Sequence, residues 1–263
     1  MKIDDEFYKF YLKKDEFISR LNYAVIGIRD GKQISYKDFS EIKIPYTSID
    51  EQKRISKFLK YINKKIELLE KTLVLYQKHL QSLRFKLIHT NLDNSSFKLK
   101  EICKINKGKQ LNKLDMVENG KYYVLNGGKE PSGFTNSWNV KENTITISEG
   151  GNSCGFVSFN TEKFYCGGHC YYLDLNDSNI NLNYLFNYLK SIETKIMKLR
   201  VGSGLPNIQK KDIENINLNL PNLNEQEKIG KLLSIIHKQF NLKNNELIKL
   251  NNFKKGLLQK MFI

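Results

Sequence analysis

The chain has 263 residues, an ordinary apolar fraction for a protein that buries a core, and a formal net charge of +15. No run of about 18 or more apolar residues is present, which excludes a membrane-spanning helix, and the N-terminal MKIDDEFYKFYLKKDEF is too charged for a signal peptide. The four cysteines, Cys103, Cys154, Cys166 and Cys170, point in an unsignalled chain to reduced thiols and a cytoplasmic location, not to a disulfide framework. A basic excess of this size favours a polyanionic partner, nucleic acid or an anionic membrane surface, with a Lys-rich solvated surface as the bland alternative.

From the N-terminus, FYLKKDEFISRL (Phe10–Leu21) has the pattern of an apolar helix, and ISYKDFSEIKI (Ile34–Ile44) that of a short extended stretch and a turn. A long helix follows. Its apolar residues Ile55, Leu59, Ile62, Ile66, Leu69, Leu73, Tyr76, Leu80, Leu83 and Leu87 alternate spacings of four and three, the a/d seam of a coiled coil. Asp50 is the expected N-cap, and at 1.5 Å per residue a helix over residues 53–88 spans roughly 54 Å.

Residues 91–223 have a different texture. YYVL (Tyr122–Leu125), NTITIS (Asn143–Ser148), CGFVSFN (Cys154–Asn160) and YYLDL (Tyr171–Leu175) are expected strands between turns such as NGGKEPSG and SEGGNS. NYLFNYLKSIETKIMKL (Asn183–Leu199) predicts a helix. A second long helix closes the chain, with Ile229, Leu233, Ile236, Phe240, Leu247, Leu250, Leu257 and Met261 on its seam, Lys243 and Lys254 interrupting it, and Asn224 at the cap.

The two long helices are a repeat. LNEQEKIGKLLSIIHKQF (Leu223–Phe240) aligns without a gap on IDEQKRISKFLKYINKKI (Ile49–Ile66), and IQKKDIENINL (Ile208–Leu218) lies over Ile34–Ile44 in the same register. FNYLKSIETKIMKL resembles FYLKKDEFISRL once a few residues are skipped. The first helix leads into residues 91–223 and the second leads out, so chain order makes them antiparallel. The expected architecture is α+β, with a strand-rich domain inserted at the tip of a long antiparallel two-helix coiled coil. Its divisions are 1–50, 51–90, 91–223 and 224–263. A segment of fewer than about 50 residues cannot build its own core, so the N-terminal arm is expected to be partly disordered or docked, on a second copy of the protein for instance.

The combination of FKLKEICKINKGKQ, VLNGG, TITISEGG, CGFVSFNTEKFYCGGHCYYL and LRVGSGLPNIQKKDIENINLNLPNLNEQEKIGKLL resembles the DNA specificity subunit of type I restriction–modification enzymes. The resemblance implies a target-recognition domain that reads half of a bipartite site, repeated helices that act as a ruler and dock methyltransferase subunits, a further restriction/translocase subunit, and no catalysis. A full subunit of that family has two recognition domains; here the first is represented by its closing segment, residues 1–46. A half-length subunit implies self-association, with a homodimer reading a spaced palindrome. Under this reading the seam residues, among them Leu80, Leu83 and Leu257, also serve assembly.

The loops Lys107–Lys113, Asn126–Trp138 and Glu149–Ser153 then supply candidate contacts to double-stranded DNA: Lys107, Lys109, Gln110, Asn126, Lys129, Asn136, Asn152 and Ser153. Lysine neutralises phosphates, and Asn and Gln pair bidentately with adenine. Ser203 and Asn207, in the Gly202–Gln209 stretch, form a second candidate edge. Each of these residues also has an ordinary reading as a turn residue, and Trp138 reads as packing. Between Glu51 and Thr90, ten Lys and Arg face three acids, a cationic surface for DNA, for a partner or for solvent.

Cys154, Cys166, His169 and Cys170 make an acceptable zinc set by type, but their spacing fits no common knuckle. Strand alternation would put Cys166 and Cys170 on one face and His169 on the other, so no metal or other cofactor is expected. No Asn/Asp-Pro-Pro-Tyr/Phe motif and no Walker lysine occur, which argues against an enzyme. The rival reading is a coiled-coil adaptor or exchange cassette with vestigial, non-specific DNA binding. RNA binding lacks a row of aromatics spaced as a stacking platform.

Overall fold

The computed structural model describes residues 2–23, 25–26, 33–90, 95–176, 178–202, 204 and 206–262. These fall into two compact units, Met1–Gln77 with Gln239–Ile263, and Lys78–Lys238. In chain order the first elements are α1 (Asp5–Tyr11), α2 (Asp15–Tyr23), β1 (Val25–Ile26), β2 (Gln33–Ile34), α3 (Tyr36–Ser40) and the long α4 (Ile49–His89). Then come β3 (Ser95–Lys98), α5 (Leu99–Ile102), β4 (Cys103–Lys107), β5 (Tyr122–Leu125), β6 (Gly133–Thr135), β7 (Thr144–Ser148), β8 (Val157–Asn160), β9 (Tyr165–Cys166) and β10 (Cys170–Leu175). The chain closes with α6 (Leu182–Ser191), α7 (Glu193–Met197), α8 (Lys210–Glu214), β11 (Asn217–Leu220) and α9 (Leu223–Lys260). The fold is α+β, and among the described residues no helix is long and apolar enough to cross a membrane.

In the first unit α4 and α9 run antiparallel: Lys65 lies 3.8 Å from Glu246, and the Tyr76 hydroxyl 3.5 Å from the Gln239 amide oxygen. Ile55, Leu59, Ile62 and Ile66 are buried, and Leu69 and Leu73 retain 8% and 7% exposure, so the heptad seam faces protein and not water. Leu247, Leu250 and Leu257 are only half-buried, on a helix whose seam carries Lys243 and Lys254. The N-terminal arm docks within its own chain. Phe7, Phe10, Tyr11 and Phe17 share a core with Ile55, Leu59 and Phe262, so helix ends supply the apolar surface that so short a segment lacks. No second copy is needed to bury it.

The second unit is organised on an antiparallel four-stranded sheet of order β4-β10-β7-β8. Strand alternation divides its faces. Ile145 and Ile147 of β7, Tyr171 and Leu173 of β10 and Ile105 of β4 pack with Tyr184, Leu185 and Leu189 of α6. Leu80, Ile88, Ile229 and Leu233 of the two long helices complete that core, with Leu83, Leu87 and Ile236 half-buried at its edge. Leu125, Val140, Phe164, Cys166 and Cys170 form a smaller core beside the β6-β5-β9 sheet. β7 is buried along its whole length, and its polar atoms are satisfied: the Thr144 hydroxyl donates to Lys141 O (2.9 Å) and Thr146 accepts from Asn160 Nδ2 (3.1 Å).

Three local expectations shift. Residues 154–156 form a turn, and the strand begins at Val157. The predicted helix over 183–199 is broken at Ile192 into α6 and α7. Both helix caps lie two residues earlier than Asp50 and Asn224. Glu51 N–H donates to Ser48 Oγ (3.3 Å), and Glu225 N–H to Asn222 Oδ1 (3.1 Å).

These caps occupy equivalent repeat positions, and so do Gln52 and Gln226, which are 0% and 2% exposed. Gln52 Nε2 donates to Thr47 O, and Gln226 Nε2 to Pro221 O, each at 2.8 Å. Gln52 Oε1 accepts from Asp4 N–H (2.8 Å), and Gln226 Oε1 from Asn181 N–H (3.0 Å). Asp4 and Asn181 are the N-caps of α1 and α6. Each glutamine therefore ties the start of a long helix to the start of an earlier one, and the sequence repeat is a structural repeat. Replacing Gln226 by Ala orphans the buried Pro221 carbonyl and the half-buried Asn181 N–H, so we expect a stability loss of about 1–3 kcal/mol; a urea-unfolding loss below about 0.5 kcal/mol would contradict this role.

Candidate nucleic-acid interface

β4 and β7 end, and β10 begins, at one edge of the main sheet, because β10 is antiparallel to both. β5 and β9 run parallel to each other and end at the same place. Backbone bonds lace the loops leaving this edge. Gly108 N–H donates to Cys170 O, Lys109 N–H to Cys166 O, Glu149 N–H to His169 O and Ile208 N–H to Glu149 O, each at 2.9 Å. Gly151 N–H donates to Pro206 O (2.9 Å) and Gly167 N–H to Leu125 O (2.7 Å). Such close approach needs glycine. A Cβ at Gly108 would lie 2.2 Å from Gly167 O, and Gly127, at φ +86°, would place one 2.8 Å from His169 O.

The edge gathers most of the candidate residues. Lys107, Lys109, Gln110, Lys129, Asn152 and Asn207 are exposed, and Ser153 is half-buried. The Lys129 ammonium lies 5.6 Å from the Phe156 ring centroid. Asn126 is half-buried, and its Oδ1 accepts from His169 N–H (3.2 Å), holding the 167–169 turn. Ser203 lies outside the described residues. Asn136 is not part of the edge: it flanks Lys121 at the beginning of β5, its Oδ1 3.4 Å from Lys121 N. Trp138 is 45% exposed, with the Lys163 ammonium 4.6 Å from its ring centroid, so it is a surface residue and not core packing.

Sequence reading did not single out Glu149. Following TITIS, alternation carries it to the face of Ile145 and Ile147, against Tyr171 and Lys107, which pair across β10 and β4. Glu149 is 4% exposed. Its Oε1 receives the Lys107 ammonium (2.6 Å) and the Tyr171 hydroxyl (2.8 Å), while Oε2 lies 3.8 Å from His169 Nδ1. Burial, then the bond to Glu149, holds the Tyr171 phenol above its ordinary range. Period-two alternation was the available signal, but a Glu beside two glycines reads first as a turn residue.

Cys154, Cys166 and Cys170 lie beside this edge, and Cys103 lies at the far end of β4, paired with Leu175. All four are buried, and Cys166 Sγ donates to Cys170 O (3.5 Å). The neighbouring Cys170 thiol, then burial, pushes the Cys166 thiol up. His169 is exposed and faces Glu149. Among the described residues no His, Cys, Asp or Glu group is arranged to hold a metal.

Lysine and neutral amide groups on a rigid sheet edge can neutralise phosphates and pair with base edges. The family model for the type I restriction modification DNA specificity domain matches residues 2–74 and 91–252. A Mycoplasma pneumoniae protein named as a type I specificity subunit is 33% identical over 166 residues, 62% of this chain and 44% of that protein. A Methanocaldococcus jannaschii protein named as a type I restriction enzyme specificity subunit is 25% identical over 288 residues, 97% of this chain and 66% of that one. The chain thus spans less than half of the first relative and about two thirds of the second. The crystal structure of a type I restriction–modification S subunit from Mycoplasma genitalium matches with a TM-score of 0.80 at 22% identity, over 99% of this chain and 73% of that one. That likeness shows the fold.

The close approach yields a prediction. Gly108→Ala forces β4 away from the 166–170 turn and is expected to cost about 1–3 kcal/mol in thermal unfolding. Amide exchange should accelerate at Gly108 and Lys109 ahead of the rest of the sheet.

Proposed function

This chain belongs to the type I restriction–modification DNA specificity family, and from that membership we propose that it reads one half of a bipartite duplex target through the loop edge of residues 107–113, 126–129, 149–153, 201–202, 204 and 206–209. The edge belongs to a target-recognition domain of residues 91–223. The protein supplies recognition and no catalysis, and it works in the cytoplasm with methyltransferase subunits and a restriction/translocase subunit. The observation that carries this reading is the convergence of Lys107, Lys109, Gln110, Asn152 and Asn207 on one laced edge.

Assembly rests on the long helices. Their seam is already occupied within the chain, since Leu69, Leu73, Leu80 and Leu233 are buried there. Further partners therefore meet other surfaces. Phe58, Tyr61 and Leu68 are exposed on α4, and the equivalent repeat positions on α9 are Leu232, Ile235 and Leu242, also exposed. Matched apolar residues left in water in both repeats support an assembly surface, which we assign to self-association. Recognition of a single half-site is weak, because each base pair adds about 1–3 kcal/mol; a C₂ pair would read a spaced palindrome.

Selection from random duplexes is expected to enrich such a palindrome, with affinity falling steeply as salt rises. Salt-sensitive binding without enrichment would instead support the adaptor reading, which the bond holding Asn126 Oδ1 on the His169 backbone favours. Light scattering at micromolar concentration is expected to give a dimer, and Leu68→Glu with Leu242→Glu a monomer. A wild-type monomer, alone and with DNA, contradicts self-association.

A further inference from the structure

Residues 36–46 repeat residues 210–220 in register, α3 (Tyr36–Ser40) lying over α8 (Lys210–Glu214). The backbone agrees where the chain leaves both helices: Ile42 N–H donates to Phe39 O (3.3 Å) and Ile216 N–H to Ile213 O (3.2 Å). The copies differ in what covers them. Ile213, Leu218 and Leu220 are 0%, 0% and 2% exposed, whereas their counterparts Phe39, Ile44 and Tyr46 are 47%, 45% and 54% exposed.

In the second copy the cover is a short segment, residues 95–102. Its β3 pairs antiparallel with β11, Phe97 opposite Leu218 and Ser95 opposite Leu220. Leu99 N–H continues the ladder to Ile216 O (2.9 Å), and Leu99 and Ile102 of α5 are buried in the same core as Ile213, Leu218 and Leu220. Between these outward bonds Asn219 N–H donates inward, to the Tyr188 hydroxyl (3.0 Å). The first copy also makes its inward bonds, from the Arg20 guanidinium to Lys43 O (3.3 Å) and from the Tyr8 hydroxyl to Pro45 O (3.2 Å). Pro45 stands where Asn219 donates inward, so its missing N–H takes nothing from the outward edge. Alternation turns the N–H and C=O of Ile44 and Tyr46 outward, and among the described residues no hydrogen bond reaches them. An open edge beside exposed apolar side chains is a template for strand addition.

We propose that residues 39–46 dock an extended segment of a second, different polypeptide, which pairs with Ile44 and Tyr46 and covers Phe39 as residues 95–102 cover the second copy. The segment has the chemistry of SSFKLKEI: a polar strand with one apolar residue, then a helical turn apolar at its first and last positions. A copy of this chain is not the occupant, because its own Ser95–Lys98 is held on β11 through the full register. Neither the loop edge nor the exposed residues Phe58, Leu68 and Leu242 take part, so the inference stands apart from DNA reading and from self-association.

The probe is a rhodamine-labelled peptide of residues 90–102, TNLDNSSFKLKEI, titrated with the full chain and followed by fluorescence anisotropy. Its lysines are balanced by Asp93 and Glu101, so net charge does not drive binding. Saturable binding is expected, with amide exchange slowing at Ile44 and Tyr46. Ile44→Pro removes an outward donor and Phe39→Asp charges the apolar face; each is expected to weaken binding at least about tenfold. Phe97→Asp in the peptide is expected to do the same against the unaltered chain, which keeps the test decisive if either chain variant folds poorly. Leu68→Glu with Leu242→Glu is expected to bind the peptide as the wild type does, separating this surface from self-association. The proposal is overturned if no saturable binding occurs, or if binding survives these substitutions at Ile44, Phe39 and Phe97. Protection of Ile44 and Tyr46 that rises with the chain's own concentration, without peptide, also overturns it by making a second copy the occupant.

Discussion

A helix leaves its first backbone N–H groups without internal partners, and a chain that changes direction into a helix leaves other polar groups exposed beside them. At the start of both long helices a single buried amide resolves part of this problem. Gln52 and Gln226 each donate to the carbonyl five residues earlier and accept from the N-cap residue of a preceding helix. Neither Glu nor Leu could replace them, since the site needs a donor and an acceptor in a dry environment. The bonds fix α4 against α1 and α9 against α6, and the seams that begin three residues later, at Ile55 and Ile229, inherit their direction from them. The exposed Phe58 and Leu232 follow from the same register.

The loop edge depends on a different constraint, close backbone approach. Gly108 and Gly127 let the loops after β4 and β5 lie against the 166–170 turn, and carbonyls that would face solvent are bonded across loops. This lacing fixes the backbone from which the lysine and amide side chains project. Within this edge the buried Glu149 carboxylate accepts from the Lys107 ammonium and the Tyr171 hydroxyl.

The family resemblance, the antiparallel helices, the strands of β5, β7 and β10 and the repeat were all legible in the residues. Period 3.5 and period 2 are local signals, and Leu69, Leu73, Ile145 and Ile147 are buried where those periods put them. The helix caps were misplaced because Asp50 and Asn224 are good cap types, while Ser48 and Asn222 are decided by where the incoming chain turns. Asn136 looked like a member of one loop with Asn126, but β6, antiparallel to β5, carries it back to the start of β5.

The sequence by itself determined the class of fold, the pairing of two repeated helices and the positive charge that calls for a polyanion. Those properties are carried by spacing and composition, which survive without knowledge of long-range neighbours. Only the tertiary structure decided which loops share an edge, that the N-terminal arm packs on the ends of the long helices, and that Gln226 and Glu149 are buried with bonds to distant segments. Each of these depends on partners tens of residues away in sequence, where burial and a hydrogen-bond distance, not residue type, set the role.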